Sequence, residues 1–196
     1  MSMTLLGWRR HVAAMYAEVR ATSGDDPVEA AARFRASRDR LFAEHPDTPL
    51  SAEGLTAFLG VPYWPYDPAW RFEAVVEPAP PEPVTATSLT GEDFRLERFG
   101  RVTLPFGSLE VYWIAIYGGG VFIPFRDATS GTETYGAGRY LVDTIKGADL
   151  GGTAGRLVMD FNFAYHPSCA YDPRWSCPLA PRANWLTVPI RVGEHL

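Results

Sequence analysis

Val111-Tyr112-Trp113-Ile114-Ala115-Ile116-Tyr117-Gly118-Gly119-Gly120-Val121-Phe122-Ile123-Pro124-Phe125 is the stretch that decides the fold. Its first half is apolar and rich in β-branched and aromatic residues, with no polar alternation. Such a run predicts a central strand buried on both faces. Three glycines then supply the positive-φ freedom of a tight hairpin, and a second apolar strand returns. Two long strands joined this closely can only run antiparallel.

Working outward, the chain from Trp70 onward reads as β. Candidate strands are 70–76, 84–89, 94–104, 109–117, 120–125, 139–145, 157–161 and 185–192. Pro78 to Pro83 reads as a link between the first two. Pro189 marks the last strand as an edge or a bulge, because proline donates nothing to a ladder. No helical pattern of a dozen residues lies between the strands, so antiparallel pairing is favoured over βαβ crossovers. Closure into a barrel-like sheet would remove exposed edges.

Upstream the period changes. Leu5, Trp8, Val12, Met15 and Val19 recur three and four apart, the apolar stripe of an amphipathic helix. That stripe should pack on the sheet or on a second subunit in a homodimer. Asp26-Pro27-Val28-Glu29 is a helix start: an Asp cap, proline at the first position and Glu three after the cap. This second helix should stop before Pro46. Its Arg33, Arg35, Arg38, Asp39 and Arg40 read as a solvated face. A short helix is expected near Ser51–Leu59, then a knot of aromatics, Tyr63-Trp64-Pro65-Tyr66, that covers one end of the sheet. The expected fold class is α+β: N-terminal helices (residues 1–60) packed on a mainly antiparallel, barrel-like β-sheet (61–196), together one compact unit.

Composition narrows the function classes. The 196 residues carry a net charge of −5 and a single lysine, Lys146, so a general nucleic-acid footprint is not expected. The N-terminus has no apolar run behind a basic one, and no segment is long enough to span a membrane, so a cytoplasmic protein is expected.

Two loops carry the chemistry. Arg126 to Tyr140 leaves one strand and re-enters another through Gly136-Ala137-Gly138-Arg139. Glycine there permits positive φ or close approach of backbone to another group. Arg139 could clamp an anion through its fork of donors, or mark a bulge and pair with Asp127, Glu133 or Asp160. The second loop, 160–184, holds Pro167, Pro173, Pro178 and Pro181, which stiffen it and deny it regular hydrogen bonding. Side chains must hold it instead. Asp160 and Asn162 either bind a ligand together or cap the loop. Cys169 and Cys177 are read as buried thiols, a disulfide, or with His166 part of a zinc site. A catalytic thiol with His166 as base has the right residue types.

Both loops bear on a resemblance. D-F-N-F-A-Y-H-P-S-C-A-Y, W-S-C-P-L-A-P-R-A-N-W-L and I-R-V-G-E, with F-R-D-A-T-S-G-T-E-T-Y-G-A-G-R-Y-L at 125–141, resemble the DUF1684 family. More loosely, so do S-R-D-R-L-F, H-P-D-T-P-L and L-G-V-P-Y-W-P-Y-D-P-A-W-R-F. The resemblance spans roughly 33–194 and implies no settled activity. The family pattern more often has Asn at the position of His166.

The expected function is the binding of a small anionic molecule at the end of the sheet where the two loops meet, with or without catalysis. Arg126, Tyr135, Arg139, Tyr140, Asp160, Asn162 and Asn184 would supply polar contacts, and Tyr171 and Trp175 a wall. The alternative is a structural or protein-interaction module whose Cys/Pro/Asn loop only closes the sheet. A flavin nucleotide or a Cys/His hydrolase stands behind these. No pattern dictates a cofactor.

Overall fold

The computed structural model describes residues 3–196. Three helices come first: α1 (Met3–Thr22), α2 (Pro27–Glu44) and α3 (Ala52–Ala57). The Asp26 side chain accepts from the Glu29 amide at 3.0 Å and Pro27 follows it, so α2 starts where the sequence places it. Ser51 caps α3 in the same way, accepting from Gly54.

The strands are β1 (Arg71–Val75), β2 (Glu77–Thr87), β3 (Asp93–Leu104), β4 (Gly107–Ile114), β5 (Gly120–Phe125), β6 (Arg139–Asp143) and β7 (Arg156–Asp160). Five of them form an antiparallel meander in the order β2-β3-β4-β5-β6, with β4 central. β1 and β7 pair antiparallel as a separate ribbon. The α+β expectation therefore holds, but the sheet does not close into a barrel. One reason lies in β2, which includes the prolines at 78, 80, 81 and 83 and is an edge strand rather than a link. Prolines have no amide to offer another strand, so that edge accepts no neighbour.

Both faces of the meander are covered. Leu96, Tyr112, Phe122 and Tyr140 pack with Met15, Tyr16 and Val19 of α1 and Phe34 of α2. Val102, Leu109, Val111, Ile123, Phe125 and Leu141 pack with Met159, Phe161, Ile190 and Val192. Alternation explains the division on β4 and β5, where successive residues face opposite ways. On β3 Leu96 and Val102 have the same parity yet face opposite layers. The register shift between Arg98 and Gly100 is the reason: one extra residue flips the face. The α1 stripe thus packs on the sheet of its own chain. β4 ends at Ile114, so Ile116 and Tyr117 stand exposed at the hairpin tip rather than buried.

The C-terminal segment 185–192 is not a ladder strand. It makes one parallel bridge, Trp185 to Arg126, with Leu186 and Ala128 amides completing the contact. Its remaining carbonyls have another partner, described next.

Candidate functional site

Three buried side chains stand in for missing secondary structure. Arg139, 1% exposed, donates through Nη1 to the carbonyls of Val192 (2.6 Å) and Glu194 (3.1 Å). Its Nη2 donates to the Ile190 carbonyl (2.8 Å) and to Asp127 Oδ2 (2.6 Å). Residues 190, 192 and 194 present carbonyls at the two-residue repeat of an extended chain, and one guanidinium serves them as a neighbouring strand would. Gly138 has φ +95, and a Cβ there would meet the Phe125 carbonyl oxygen at 2.3 Å. The close approach that the glycines permit is therefore to the chain's own backbone.

Asn184 is fully buried. Its amide accepts from the Glu110 N–H (2.7 Å) and donates to the carbonyls of Glu110 (3.0 Å) and Pro124 (2.8 Å). Asn162 accepts from the Asp67 N–H and donates to the Asp67 carbonyl, both at 2.8 Å, while Asp160 Oδ1 accepts from the Asn162 amide and side chain. Tyr66 closes that set by donating to Asp160 Oδ2. Burial raises the Asp160 carboxyl above the usual range, against the pull of these hydrogen bonds. The Tyr135 hydroxyl donates to the Cys169 carbonyl and the Tyr140 hydroxyl to the Pro178 carbonyl, so the two predicted loops do come together. Arg126 lies over the Trp185 ring at 4.2 Å.

A second buried network centres on Glu194, which is fully buried near the C-terminus. Arg38 Nη2 lies 2.5 Å from its Oε1. The His166 amide (2.6 Å) and the Tyr171 hydroxyl (2.7 Å) donate to Oε2, and Tyr63 donates to Oε1. Burial works against ionising Glu194, but Arg38 and these donors outweigh it and hold its pKa below the usual carboxylate range. Burial likewise opposes the Arg38 charge, and Glu194 outweighs it. Gly193, at φ +78, makes the turn that delivers Glu194; a Cβ there would lie 2.7 Å from the carbonyl oxygens of Phe161 and Ala164. His166 accepts from the Tyr135 amide at Nε2, which leaves its proton on Nδ1, 3.6 Å from Glu194. Burial lowers its pKa to about 4, so it is neutral at pH 7.

Above this network a cleft opens between α1, residues 47–49 and the proline-rich loop. An inner arm of about 60 Å³ is lined by Tyr16, Arg38, Phe42, Tyr165, His166 and Tyr171. An outer arm of about 220 Å³ adds Leu5, Arg9, Asp47, Trp175, Ser176 and Cys177. Trp8, Pro49, Lys146 and Ser168 belong to both. Trp175 Nε1 donates to the Pro49 carbonyl (2.9 Å) and Arg174 to the carbonyls of Thr48 and Leu50, which fixes the outer wall. Arg38 Nε is buried and has no hydrogen-bond partner among the described residues. A larger hollow of about 420 Å³ beside Val76, Phe99 and Leu157 is mainly apolar, with no converging ionisable groups.

Of the nine candidate ligand residues, Tyr171 and Trp175 line this cleft. Arg139, Asp160, Asn162 and Asn184 sit in closed networks, and Tyr135 and Tyr140 tie loop carbonyls. Sequence reasoning missed Trp8, Arg38, Lys146 and Glu194. The face of α2 expected to be solvated is partly covered: Arg38 is buried and Arg35 is half-buried over the Tyr63 ring. Asp39 also turns inward, accepting from the Val61 amide. The available signal was Glu194 itself, an acid ending the motif I-R-V-G-E. Cys169 and Cys177 are both free thiols, and no group of three or more His, Cys, Asp and Glu among the described residues could hold a metal ion. No helix among them is long and apolar enough to cross a membrane.

Fold and site together define an α+β protein with a small cleft of mixed polarity between its first helix and a side-chain-pinned loop. The chain belongs to the DUF1684 family, described as proteins of unknown function, whose model matches residues 56–195. A similar solved structure is the solution NMR structure of an uncharacterised protein of Haloarcula marismortui. It is 30% identical, with a TM-score of 0.61, over 89% of this chain and 96% of that one. No curated protein matches.

Proposed function

We propose that the cleft between α1 and the 166–177 loop binds a small anionic molecule with a flat, apolar portion. The observation that carries this reading is Arg38, a buried cation that lines the inner arm of the cleft and whose Nε has no hydrogen-bond partner among the described residues. Buried donors without partners are rare, and one lining a cavity is where a ligand oxygen would be received. Lys146 and Arg9 stand along the same walls, and Trp8, Tyr171 and Trp175 offer ring faces.

The size suits a ligand near one ring; a flavin nucleotide needs more, since pockets for drug-sized ligands run to about 300–1,000 Å³. A Cys/His hydrolase lacks its base, because His166 Nε2 already accepts from Tyr135 and Nδ1 faces Glu194. The structural-module reading has its own support in Arg139, which is paired throughout except at Nε.

The test is tryptophan fluorescence titration with inorganic phosphate, benzoate and phenyl phosphate, since Trp8 and Trp175 line the cleft. Saturable quenching that Lys146→Gln weakens is the expected result. No saturable change with any probe, and no small molecule retained on native mass spectrometry of the purified protein, would overturn the reading.

A further inference from the structure

The anion reading leaves one charged residue of the cleft without a task. Asp47 lines the outer arm, as Arg9 and Trp175 do, and takes no part in the inner arm that Arg38 lines. Its Oδ2 is buried and accepts no hydrogen bond among the described residues. His45 Nδ1 lies 3.9 Å from that oxygen, beyond hydrogen-bonding distance. The same nitrogen already accepts from the Asp47 amide at 3.1 Å, and in that role it has no proton to give to Oδ2. The Asp47 side chain still has 29% of its surface open, so a cation can approach it.

The segment that carries Asp47 is fixed. The Thr48 amide donates to the His45 carbonyl at 3.0 Å. Arg174 donates to the carbonyls of Thr48 and Leu50, and Trp175 Nε1 to that of Pro49. These contacts hold the residue at the cleft wall. A partly buried carboxylate with an unpaired oxygen is costly in an empty cavity, and a ligand that brings a charged donor relieves the cost.

Opposite charges therefore stand in different arms of one cleft, Arg38 in the inner and Asp47 in the outer, while Trp8 and Lys146 border both. We infer that the ligand of this cleft is a zwitterion: an aromatic ring with an anionic group at one end and a protonated amine at the other. This inference rests on the anion reading and names the other half of the ligand. The amine donates to Asp47 in the outer arm. The ring lies against Trp8, and the anionic group is drawn toward Arg38, with Lys146 alongside.

Asp47 also gives the site a means of discrimination. Its carboxylate repels a second anionic group from the outer arm, so a ligand with two anionic ends is disfavoured. An anion whose far end is apolar leaves Asp47 as poorly partnered as it stands alone. Only the zwitterion serves both arms, and in one orientation.

The test compares para-aminomethylbenzoate with para-ethylbenzoate, which share a carboxylate and have nearly the same shape, only the first carrying an amine. Each is titrated at neutral pH into the full-length protein and followed by calorimetry. The expected result is roughly tenfold tighter binding of the amine, the fold-change of one charge-assisted hydrogen bond. Asp47→Asn should erase that preference, with Asp47→Ser read in its place where the first variant does not fold. Equal affinities, tighter binding of para-ethylbenzoate, or a preference that survives both substitutions would overturn this inference and leave the anion reading standing. Binding of neither compound would overturn the two together.

Discussion

Arg139 and Arg38 are two buried arginines that grip the same C-terminal segment, and they differ in their surroundings. Arg139 spends both terminal nitrogens on three carbonyls and Asp127, away from the cleft. Arg38 pairs with Glu194, lies against the rings of Phe42 and Tyr165, and lines the inner arm of the cleft. Each leaves its Nε unpaired, so what separates them is place: the terminal nitrogens of Arg139 are filled from within the fold, whereas Arg38 borders a cavity.

The largest effect should come from Arg139. Arg139→Ala leaves the buried Asp127 without its ionic partner, with only Thr129 still donating to it, and frees three carbonyls; it should cost on the order of 3–5 kcal/mol in urea unfolding. Arg139→Lys should lose much of that too, because an ammonium cannot reproduce the planar fork. A loss below about 1 kcal/mol for Arg139→Ala would erase the contrast drawn with Arg38.

Next is the helix that roofs the cleft. Met15 is buried against the sheet, so Met15→Ala should cost about 2–3 kcal/mol. An unchanged melting curve would show that α1 does not hold the cleft shut from that side.

The pH dependence should be smaller and local to the Glu194 network. His166 has a folded pKa of about 4, below its ordinary 6.5, so neutral His166 is favoured in the fold. Its contribution is full above pH 6.5 and is lost as pH falls toward 4, with a slope of at most about 1.4 kcal/mol per pH unit. Glu194, also depressed, contributes above the ordinary carboxylate range and loses that contribution as pH falls through its folded value. Asp160 is raised and runs the other way: its contribution is present at low pH and lost as pH rises through its folded value. His166→Asn, which keeps the backbone amide to Glu194, should flatten the stability curve between pH 6.5 and 4. An unaltered curve would mean that His166 is not the group titrating there.

These contrasts also show what could be read from the chain beforehand. Local chemistry was legible: the Asp26-Pro27 cap, the Gly118-Gly119 turn and the need for side chains to hold a loop with Pro167, Pro173, Pro178 and Pro181. Pairing over long separations was not. Arg38 and Glu194 lie at opposite ends of the chain, and a helix of alternating charges looks solvated until its partner arrives. Arg139 had the right alternative partner, Asp127, among its options, but nothing in the sequence showed that three carbonyls of the tail would fill the rest of its fork. The sheet stays open for a related reason: the prolines of β2, which in the sequence look like a link, end the sheet by denying it a next neighbour.

The most direct measurement is phenyl phosphate titration, followed by tryptophan fluorescence, on Arg38→Lys and Arg139→Lys beside urea unfolding of both. The predicted result is crossed: Arg38→Lys, still cationic beside Glu194, keeps most of its stability and loses binding, while Arg139→Lys loses stability and, where folded, binds as the parent does. Binding unchanged in Arg38→Lys, or lost in folded Arg139→Lys, would contradict the placement of the site at the Arg38 cleft.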